Sequence, residues 1–145
     1  MQVSTRVEQI LADKGRAVHT VSPDATVLDA LQLLARHNIG ALVVTEQDQL
    51  VGIFSERDYA RKVILQGRAS RDTLVRDSMT ADVITVQPAD DLGHCMKLIT
   101  DHRIRHLPVV SDGQLAGMIS VGDVVKVVMA EQQFMIEQLQ SYIQG

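Results

Sequence analysis

Two short segments of this chain carry a serine and an aspartate at a spacing that suits an anion-binding site. The first reads LVGIFSERD over residues 50–58, and the second reads LAGMISVGD over residues 115–123. In each, an apolar run rich in strand-forming residues is followed by Ser-x-x-Asp and then by a segment with helical periodicity. The serine therefore falls at a strand-to-helix junction, where unpaired backbone N–H groups and the helix dipole favour an anion.

The same Ser-x-x-Asp spacing also has a purely structural interpretation. In a capping box, the serine accepts a hydrogen bond from the helix backbone while the acidic side chain accepts one from the serine N–H. Capping explains an isolated example well, but capping and binding can coexist at one junction. Gly52 and Gly117, which precede the two serines, would let a ligand or another backbone segment approach closely.

The two segments belong to an internal duplication with a constant shift of 65 residues. The shift matches strand, helix, turn and cap positions together, which is typical of a structural repeat. The matched pairs are Val18 with Val83, Thr20 with Thr85, Val21 with Val86, Pro23 with Pro88, Leu33 with Leu98, His37 with His102, Ile39 with Ile104, Leu42 with Leu107, Val44 with Val109, Gln49 with Gln114, Leu50 with Leu115, Gly52 with Gly117, Ser55 with Ser120 and Asp58 with Asp123. The chain is therefore predicted to contain two tandem β-α-β-β-α units.

The hydrophobic pattern predicts the elements of each unit. In the first unit we expect a strand at 18–21, a helix at 26–36, a hairpin of strands at 39–44 and 50–54, and a helix from 55 to 64. The second unit should repeat these elements 65 residues later.

Helical segments are predicted outside the two units. One covers Met1 to Gly15, with Ser4 as a possible cap, a short link covers 73–79, and the last helix extends to about Ile143. That last helix has an apolar stripe that the N-terminal helix, a second copy of the chain, or both should cover. The predicted boundaries are 1–15 for the N-terminal helix, 16–68 for the first repeat, 69–80 for the linker, 81–130 for the second repeat and 131–145 for the C-terminal extension.

Composition and charge argue against several protein classes. The net charge is −4 and the basic residues are scattered, so no cationic stripe indicates nucleic acid or an anionic membrane. The apolar runs are far shorter than the roughly 20 residues that span a bilayer, and no export signal is evident. We therefore expect a cytoplasmic protein, in which the lone Cys95 lies on the inner face of a helix.

No sequence motif for catalysis or metal binding is found. The nucleophile elbow, the Gly-rich phosphate loop and the dinucleotide glycine motif are absent, so we expect no catalytic residues and no enzyme activity. No metal site is predicted either, because no metal-ligand spacing relates His19, His94, His106 and Cys95. Helix capping explains His37 and His102. Four methionines are predicted to be core residues, namely Met96, Met118, Met129 and Met135.

Taken together, these motifs resemble the tandem CBS domain pair, the repeat named after cystathionine β-synthase. The resemblance rests on Thr-Val-x-Pro in the first strand, IRHLPVV at 104–110, Leu-x-Gly-hydrophobic-hydrophobic-Ser-x-x-Asp in both repeats, and the lead-in VRDSMT at 75–80. It covers roughly residues 16–130, and the chain resembles the stand-alone bacterial two-repeat proteins. It implies an α+β fold in which two repeats pack through their sheets with pseudo-two-fold symmetry.

The resemblance also implies a regulatory, non-catalytic function. Such modules sense adenosine-containing ligands, namely AMP, ADP, ATP, NAD(H) or S-adenosylmethionine, and commonly form homodimers through helical faces. The family's motif would place the serine hydroxyl near a phosphate. The aspartate would accept hydrogen bonds from the ribose hydroxyls, which its two oxygens suit. An unidentified effector protein would receive the signal.

Two non-equivalent binding sites are expected from the family's pattern. The first would comprise Thr20, Ile39, Gly40, Ala41, Leu42, Ser55, Arg57 and Asp58. The second would comprise Ile84, Thr85, Arg105, His106, Leu107, Pro108, Ser120 and Asp123. Arg57 could neutralise phosphate in the first site, whereas Gly122 takes its place in the second. Charge there would have to come from Arg103, Arg105 or His106.

Two other functions are compatible with the sequence. The module could be a protein-interaction adaptor that docks through the C-terminal helix, its clefts being vestigial. It could also bind single-stranded nucleic acid along the same grooves, although two Phe, two Tyr and no Trp offer few stacking platforms. Nucleic acid therefore ranks last.

Overall fold

A computed structural model describes residues 5–144 as two similar α+β halves. An N-terminal helix, α1 (Val7–Lys14), precedes the first half. The elements of the first half are β1 (Thr20–Val21), α2 (Val27–His37), β2 (Ala41–Glu46), β3 (Gln49–Ser55), α3 (Glu56–Tyr59) and a π-helical turn (Ala60–Ile64). Its sheet has the order β1-β2-β3, with β1 parallel and β3 antiparallel to β2.

A 3-10 turn (Val75–Asp77) links the first half to the second. The second half contains α4 (Leu92–His102), β4 (His106–Ser111), β5 (Gln114–Ser120) and the 24-residue α5 (Val121–Gln144). Strands β4 and β5 form an antiparallel pair whose register matches that of β2 and β3. Because β3 and β5 are in contact, the halves pack through their sheets, and the predicted fold is confirmed.

The predicted first strand of the second unit is reduced to a single parallel bridge between Val86 and Val109. In the first unit the Val43 N–H donates to His19 O at 3.2 Å and begins the parallel ladder. The residue 65 positions after Val43 is Pro108, which has no N–H to donate. Only the bonds around Val86 therefore form in the second unit.

Helices α2 and α4, which occupy equivalent places in the two halves, begin and end at similar local signals. Thr26 and Asp91 cap α2 and α4 with their side chains. The helices end at Asn38 and Arg103, which both adopt the left-handed conformation with φ of 52° and 54°. His37 and His102 are the last helical residues, as the capping interpretation predicts.

Each half is completed by the helical segment that leads into the other half. Val7, Ile10 and Leu11 of α1 belong to the core of the second half, whereas Val75 of the linker belongs to the core of the first. Ile10 and Val75 are related by the 65-residue shift, so the exchange is reciprocal. The predicted N-terminal helix thus packs in the core of the second half. Residues 1–4, which include its predicted cap Ser4, lie outside the described residues.

The burial of sulphur-containing side chains departs partly from expectation. Cys95 is fully buried as predicted, and burial raises the pKa of its thiol to about 11. The prediction that all four methionines lie in the core was wrong. Met96, Met129 and Met135 are exposed, because α4 and α5 turn these positions away from the cores. Only Met118, in β5, is partly buried.

Replacing Gly117 by alanine tests the packing of α1 on β5. A Cβ at this position would lie 2.7 Å from Leu11 Cδ2, and Leu11 is itself buried. We expect the free energy of unfolding in urea to fall by about 1–3 kcal/mol through overpacking. Gly93→Ala is the matched control, because its Cβ would meet only Asp91 Oδ1 at 3.5 Å. This change on α4 should stabilise the protein by about 0.5–1 kcal/mol. Equal stability of Gly117→Ala and the unaltered chain would contradict the close packing.

Candidate functional site

The first strand-to-helix junction holds the Asp58 carboxylate almost completely inside the protein. Its Oδ2 accepts hydrogen bonds from Ser55 N at 2.9 Å and Ser55 Oγ at 3.0 Å, while the Asp58 N–H donates to Ser55 Oγ. Its Oδ1 accepts from Thr80 Oγ1 at 2.9 Å and forms an ion pair with Lys62 Nζ at 3.2 Å. Both oxygens of Asp58 are therefore occupied by protein donors.

The second junction has the same capping bonds but a different partner. Asp123 Oδ2 accepts from Ser120 N at 2.8 Å, and the Asp123 N–H donates to Ser120 Oγ at 3.2 Å. Lys14 Nζ, at the end of α1, lies 2.7 Å from the same Oδ2. Within residues 5–144, Asp123 Oδ1 receives no protein hydrogen bond.

The two carboxylates thus differ in availability. The Asp58 side chain is 8% exposed and the Asp123 side chain 22%. Although burial opposes the charged form of Asp123, hydrogen bonds from Lys14 and Ser120 hold its pKa below the usual value. Because the Lys14–Asp123 pair is partly exposed, its contribution to stability is about 0–1 kcal/mol, and the pair can rearrange at little cost.

A cavity of about 480 Å³ opens beside the first junction. Its walls come from both repeats and from the linker: Gly40, Ile53, Ser55, Glu56, Arg57, Asp58, Thr80, Ile104, Arg105 and His106. Arg57 leans across the repeat boundary and donates to Arg103 O at 2.7 Å. The polar side chains of the first cleft are therefore a serine, a threonine, a closed aspartate, a glutamate, two arginines and a histidine.

A smaller cavity of about 290 Å³ opens beside the second junction. It is also lined by both repeats and by α1: Lys14, Ala17, Val18, His19, Asn38, Ile39, Gly40, Ala41, His106, Met118 and Ser120. The His19 ring stacks on that of His37, with 3.7 Å between the ring centroids. A Cβ on Gly122 would approach only Ser120 Oγ, at 3.6 Å, so the space above this junction is open.

Gly40 and His106 form the wall that the two clefts share. A Cβ on Gly40 would lie at ordinary contact distance, 3.5 Å, from His106 Cε1 and 3.2 Å from Glu56 Oε1, so alanine would require a small shift of the Glu56 side chain. Burial and then the charges of Lys14 and Arg105 lower the pKa of His106, while Asp123 acts in the opposite direction. His106 is therefore mainly neutral at pH 7.

Each expected site was assembled from residues of one repeat, but in the structure some of these residues line the cleft of the other repeat. Arg105, expected in the second site, lines the first cleft, whereas Ile39 and Ala41, expected in the first, line the second. The pseudo-two-fold arrangement causes this exchange, because it sets the start of each middle strand beside the junction of the other repeat. Gly40 and His106 line both clefts.

Several expected contact residues lie away from both cavities. Leu42, Leu107 and Pro108 are buried, the two leucines in the cores of their repeats, whereas Thr20 and Thr85 are exposed and Ile84 packs on the second core. Arg103 takes part through its backbone oxygen. Conversely, Lys14, Thr80 and His19 were not expected. Lys14 lies at the end of α1 and Thr80 at the end of the linker; these two are the lead-in segments of the first and second repeats. The proximity of Lys14 and Thr80 to the junctions follows from tertiary packing.

Two further observations concern the described part of the chain. Among residues 5–144, no group of three or more His, Cys, Asp or Glu side chains is placed to hold a metal ion. No helix in the same range is long and apolar enough to cross a membrane.

Comparison with known proteins identifies the family to which these paired junctions belong. The model of the CBS domain matches residues 7–64 and again residues 75–130. The chain belongs to the CBS domain family. Each CBS match includes one Ser-x-x-Asp junction and the lead-in helical segment that precedes its repeat.

Individual CBS proteins are similar over nearly the whole chain. The mitochondrial CBS domain-containing protein CBSX3 of Arabidopsis thaliana is 44% identical over 98% of this chain and 73% of its own length. The solved structure of a putative signal-transduction protein with CBS domains from Burkholderia ambifaria is 50% identical, with a TM-score of 0.85, over 88% of this chain and 96% of that one. The CBS domain pair of MJ0100, solved in complex with 5′-methylthioadenosine and S-adenosylmethionine, is 25% identical with a TM-score of 0.77, over 86% of this chain and 99% of that one.

The lowered pKa of His106 predicts a pH dependence of stability in the absence of ligand. Between the lowered folded pKa and the ordinary value of 6.5, the unfolded chain binds more protons than the folded one. Stability should therefore fall as pH decreases through this window. His106→Gln should reduce the slope of unfolding free energy against pH as the pH decreases through the ordinary value of 6.5. His102→Gln, which removes an exposed imidazole of α4, is the control; an unchanged slope in His106→Gln would contradict the prediction.

Proposed function

We propose that this CBS pair is a regulatory, non-catalytic module that senses adenosine-containing ligands in its two clefts. The observation that carries the proposal is the presence of a Ser-x-x-Asp junction beside each cavity, with walls from both repeats. The MJ0100 complexes support the ligand class, since both molecules bound there contain adenosine. The candidates for this chain are AMP, ADP, ATP, NAD(H) and S-adenosylmethionine.

In each cleft, we assign the aspartate to the ribose and the serine end of the helix to the anionic part of the ligand. A carboxylate has acceptor sites for two neighbouring hydroxyl groups, and the amides of a first helical turn attract an anion. In the first cleft, Arg57, Arg105 and His106 supply the side-chain donors. There the ribose must replace Thr80 or Lys62 at Asp58 Oδ1, whereas no donor within residues 5–144 engages Asp123 Oδ1. We therefore expect the second cleft to bind first.

Ligand binding would reach an effector through the relative orientation of the repeats. Each cleft has walls from both repeats, so a ligand that contacts both favours one orientation over others. The shift in equilibrium is limited by the difference in the ligand's affinity for the two orientations. We propose that an effector protein binds the module and responds to this orientation.

A thermal-shift titration tests the sensing function. At about 100 times its dissociation constant, a bound ligand should raise the melting temperature by roughly 5–10 °C for a chain of this length. Asp58→Ala and Asp123→Ala should each reduce the shift. Asp101→Ala, which removes an exposed carboxylate of α4, should not. If none of the adenosine ligands stabilises the protein at millimolar concentration, the sensing proposal fails.

We also infer that the chain forms a homodimer through α5. Exposed apolar residues follow the alternating spacing of a coiled-coil seam, with Gln132 at one core position: Val125, Met129, Ile136, Leu139 and Ile143. Their exposed fractions range from 48% to 81%. Glu137 is the only charged residue from 132 to 144, so two copies of this segment repel each other little.

Light scattering coupled to gel filtration tests the α5 dimer. Ile136→Lys with Leu139→Lys should convert a dimer into a monomer, because two charges would be buried in the seam. Ser141→Lys lies on the other side of the helix and should leave the dimer intact. A dimer that survives the double substitution would assign the contact to another surface.

The adaptor function is the second candidate, and a groove beside the exposed stripe of α5 favours it. The groove between α1 and α5 has a volume of about 730 Å³ and includes Ile10, Val127, Phe134 and Met135 among its lining residues. A chain that is monomeric and does not respond to any adenosine ligand would favour the adaptor over the sensor.

A further inference from the structure

We propose that Lys14, the last residue of α1, contacts the ligand of the second cleft and makes this cleft select nucleoside phosphates over uncharged or cationic adenosine derivatives. The inference rests on the proposed adenosine-binding function and adds a ligand class to it. It concerns a residue outside the Ser-x-x-Asp junction, carried by a helix that precedes the first repeat in sequence.

The position of Lys14 is fixed by contacts with the second repeat. Its Nζ donates to Asp123 Oδ2 at 2.7 Å and to the backbone oxygen of Met118 at 2.9 Å. The helix that carries it is anchored independently, because Leu11 packs against Gly117 and the Val7 N–H donates to Asp90 O at 2.8 Å. The ammonium group is thus held at the cleft by a docked helix.

The donors of Lys14 are not exhausted by these contacts. An ammonium group has three N–H donors, of which Asp123 and Met118 take two. Asp123 in turn keeps Oδ1 free of protein donors within the described residues. Lys14 lines the cavity, whereas Asp123 lies next to it outside the cavity lining, with a partly exposed side chain. The pair therefore offers a charged donor at the cavity wall and an acceptor oxygen beside it. This combination fits a ligand that presents hydroxyl groups together with an anionic group.

Charge in the second cleft depends mainly on this lysine. Among the described residues that line the cleft, Lys14 is the only Lys or Arg. The position equivalent to Arg57 is Gly122, and His106 is shielded from protonation by burial and by Lys14 itself. A phosphate would gain a charge-assisted hydrogen bond from Lys14. A sulfonium group would meet the ammonium group as a like charge, which disfavours binding.

The first cleft provides the internal contrast. The residue related to Lys14 by the repeat shift is Met79, which has no charge. The cations that line that cleft are Arg57 and Arg105. Loss of the Lys14 charge should therefore affect one of the two sites and not the other.

Isothermal titration with AMP, 5′-methylthioadenosine and S-adenosylmethionine tests the proposal. The full-length chain and its Lys14→Met, Lys14→Arg and Arg16→Met variants would be compared by a two-site fit. They would be compared again in an Asp58→Asn background that weakens the first cleft. We expect the second cleft of the unaltered chain to bind AMP more tightly than the other two molecules. Lys14→Met should weaken AMP about tenfold and leave 5′-methylthioadenosine within about twofold. Lys14→Arg should restore most of the AMP affinity.

The control and the other outcomes separate a binding role from a structural one. Arg16→Met removes the same charge from an exposed position two residues away and should leave AMP affinity unchanged. AMP affinity that is unaltered in Lys14→Met would overturn the proposal, as would an equal loss for AMP and 5′-methylthioadenosine, which would indicate that Lys14 only docks α1. If the unaltered chain binds none of the three molecules, this inference fails, and the sensing function fails with it only if ADP, ATP and NAD(H) also leave the melting temperature unchanged.

Discussion

The close packing of each lead-in segment against a glycine of the final strand in a hairpin sets the geometry of this CBS pair. Leu11 lies over Gly117, and Met79 lies over Gly52 so closely that a Cβ there would approach Sδ to 2.6 Å. Because α1 and the linker are held against opposite repeats, their ends reach the two Ser-x-x-Asp junctions. Lys14 and Thr80 arrive at Asp123 and Asp58 for this reason. A side chain larger than hydrogen at either glycine would displace the segment and the residue that it delivers.

The same packing makes the two clefts unequal although their backbones repeat. The two lead-in segments occupy equivalent positions against opposite repeats, but they present different side chains to the two carboxylates. Thr80 and Lys62 both engage Oδ1 of Asp58, whose Oδ2 is held by Ser55, whereas Lys14 engages only Oδ2 of Asp123. Arg57 against Gly122, visible in the sequence, adds to this difference but does not create it. Two nearly identical motifs can therefore differ in ligand preference through residues that neither motif contains.

His106 and Gly40 connect the clefts physically. The shared wall means that the side chain of one residue, His106, faces both cavities, while its counterpart Ala41 lines only one. Burial and two neighbouring cations keep this imidazole neutral, so neither cleft contains a permanent positive charge from it. The cationic groups that separate the clefts are then Arg57 and Arg105 on one side and Lys14 on the other.

The duplication, the order of elements, the helix caps and the two junctions could all be predicted from the sequence, because each depends on residues close together in the chain. Ser55 and Asp58 form their capping bonds within one helical turn. The loss of the first strand in the second repeat was also present in the sequence, in the missing N–H of Pro108, although periodicity alone did not indicate it. The composition of each cleft could not be predicted in the same way. Arg105 lies beside Ser55, and Ile39 beside Ser120, because two sheets pack about a pseudo-two-fold axis. Tertiary structure alone decided that Lys14 meets Asp123 across 109 positions of sequence, since this contact depends on how a helix docks and not on any local pattern.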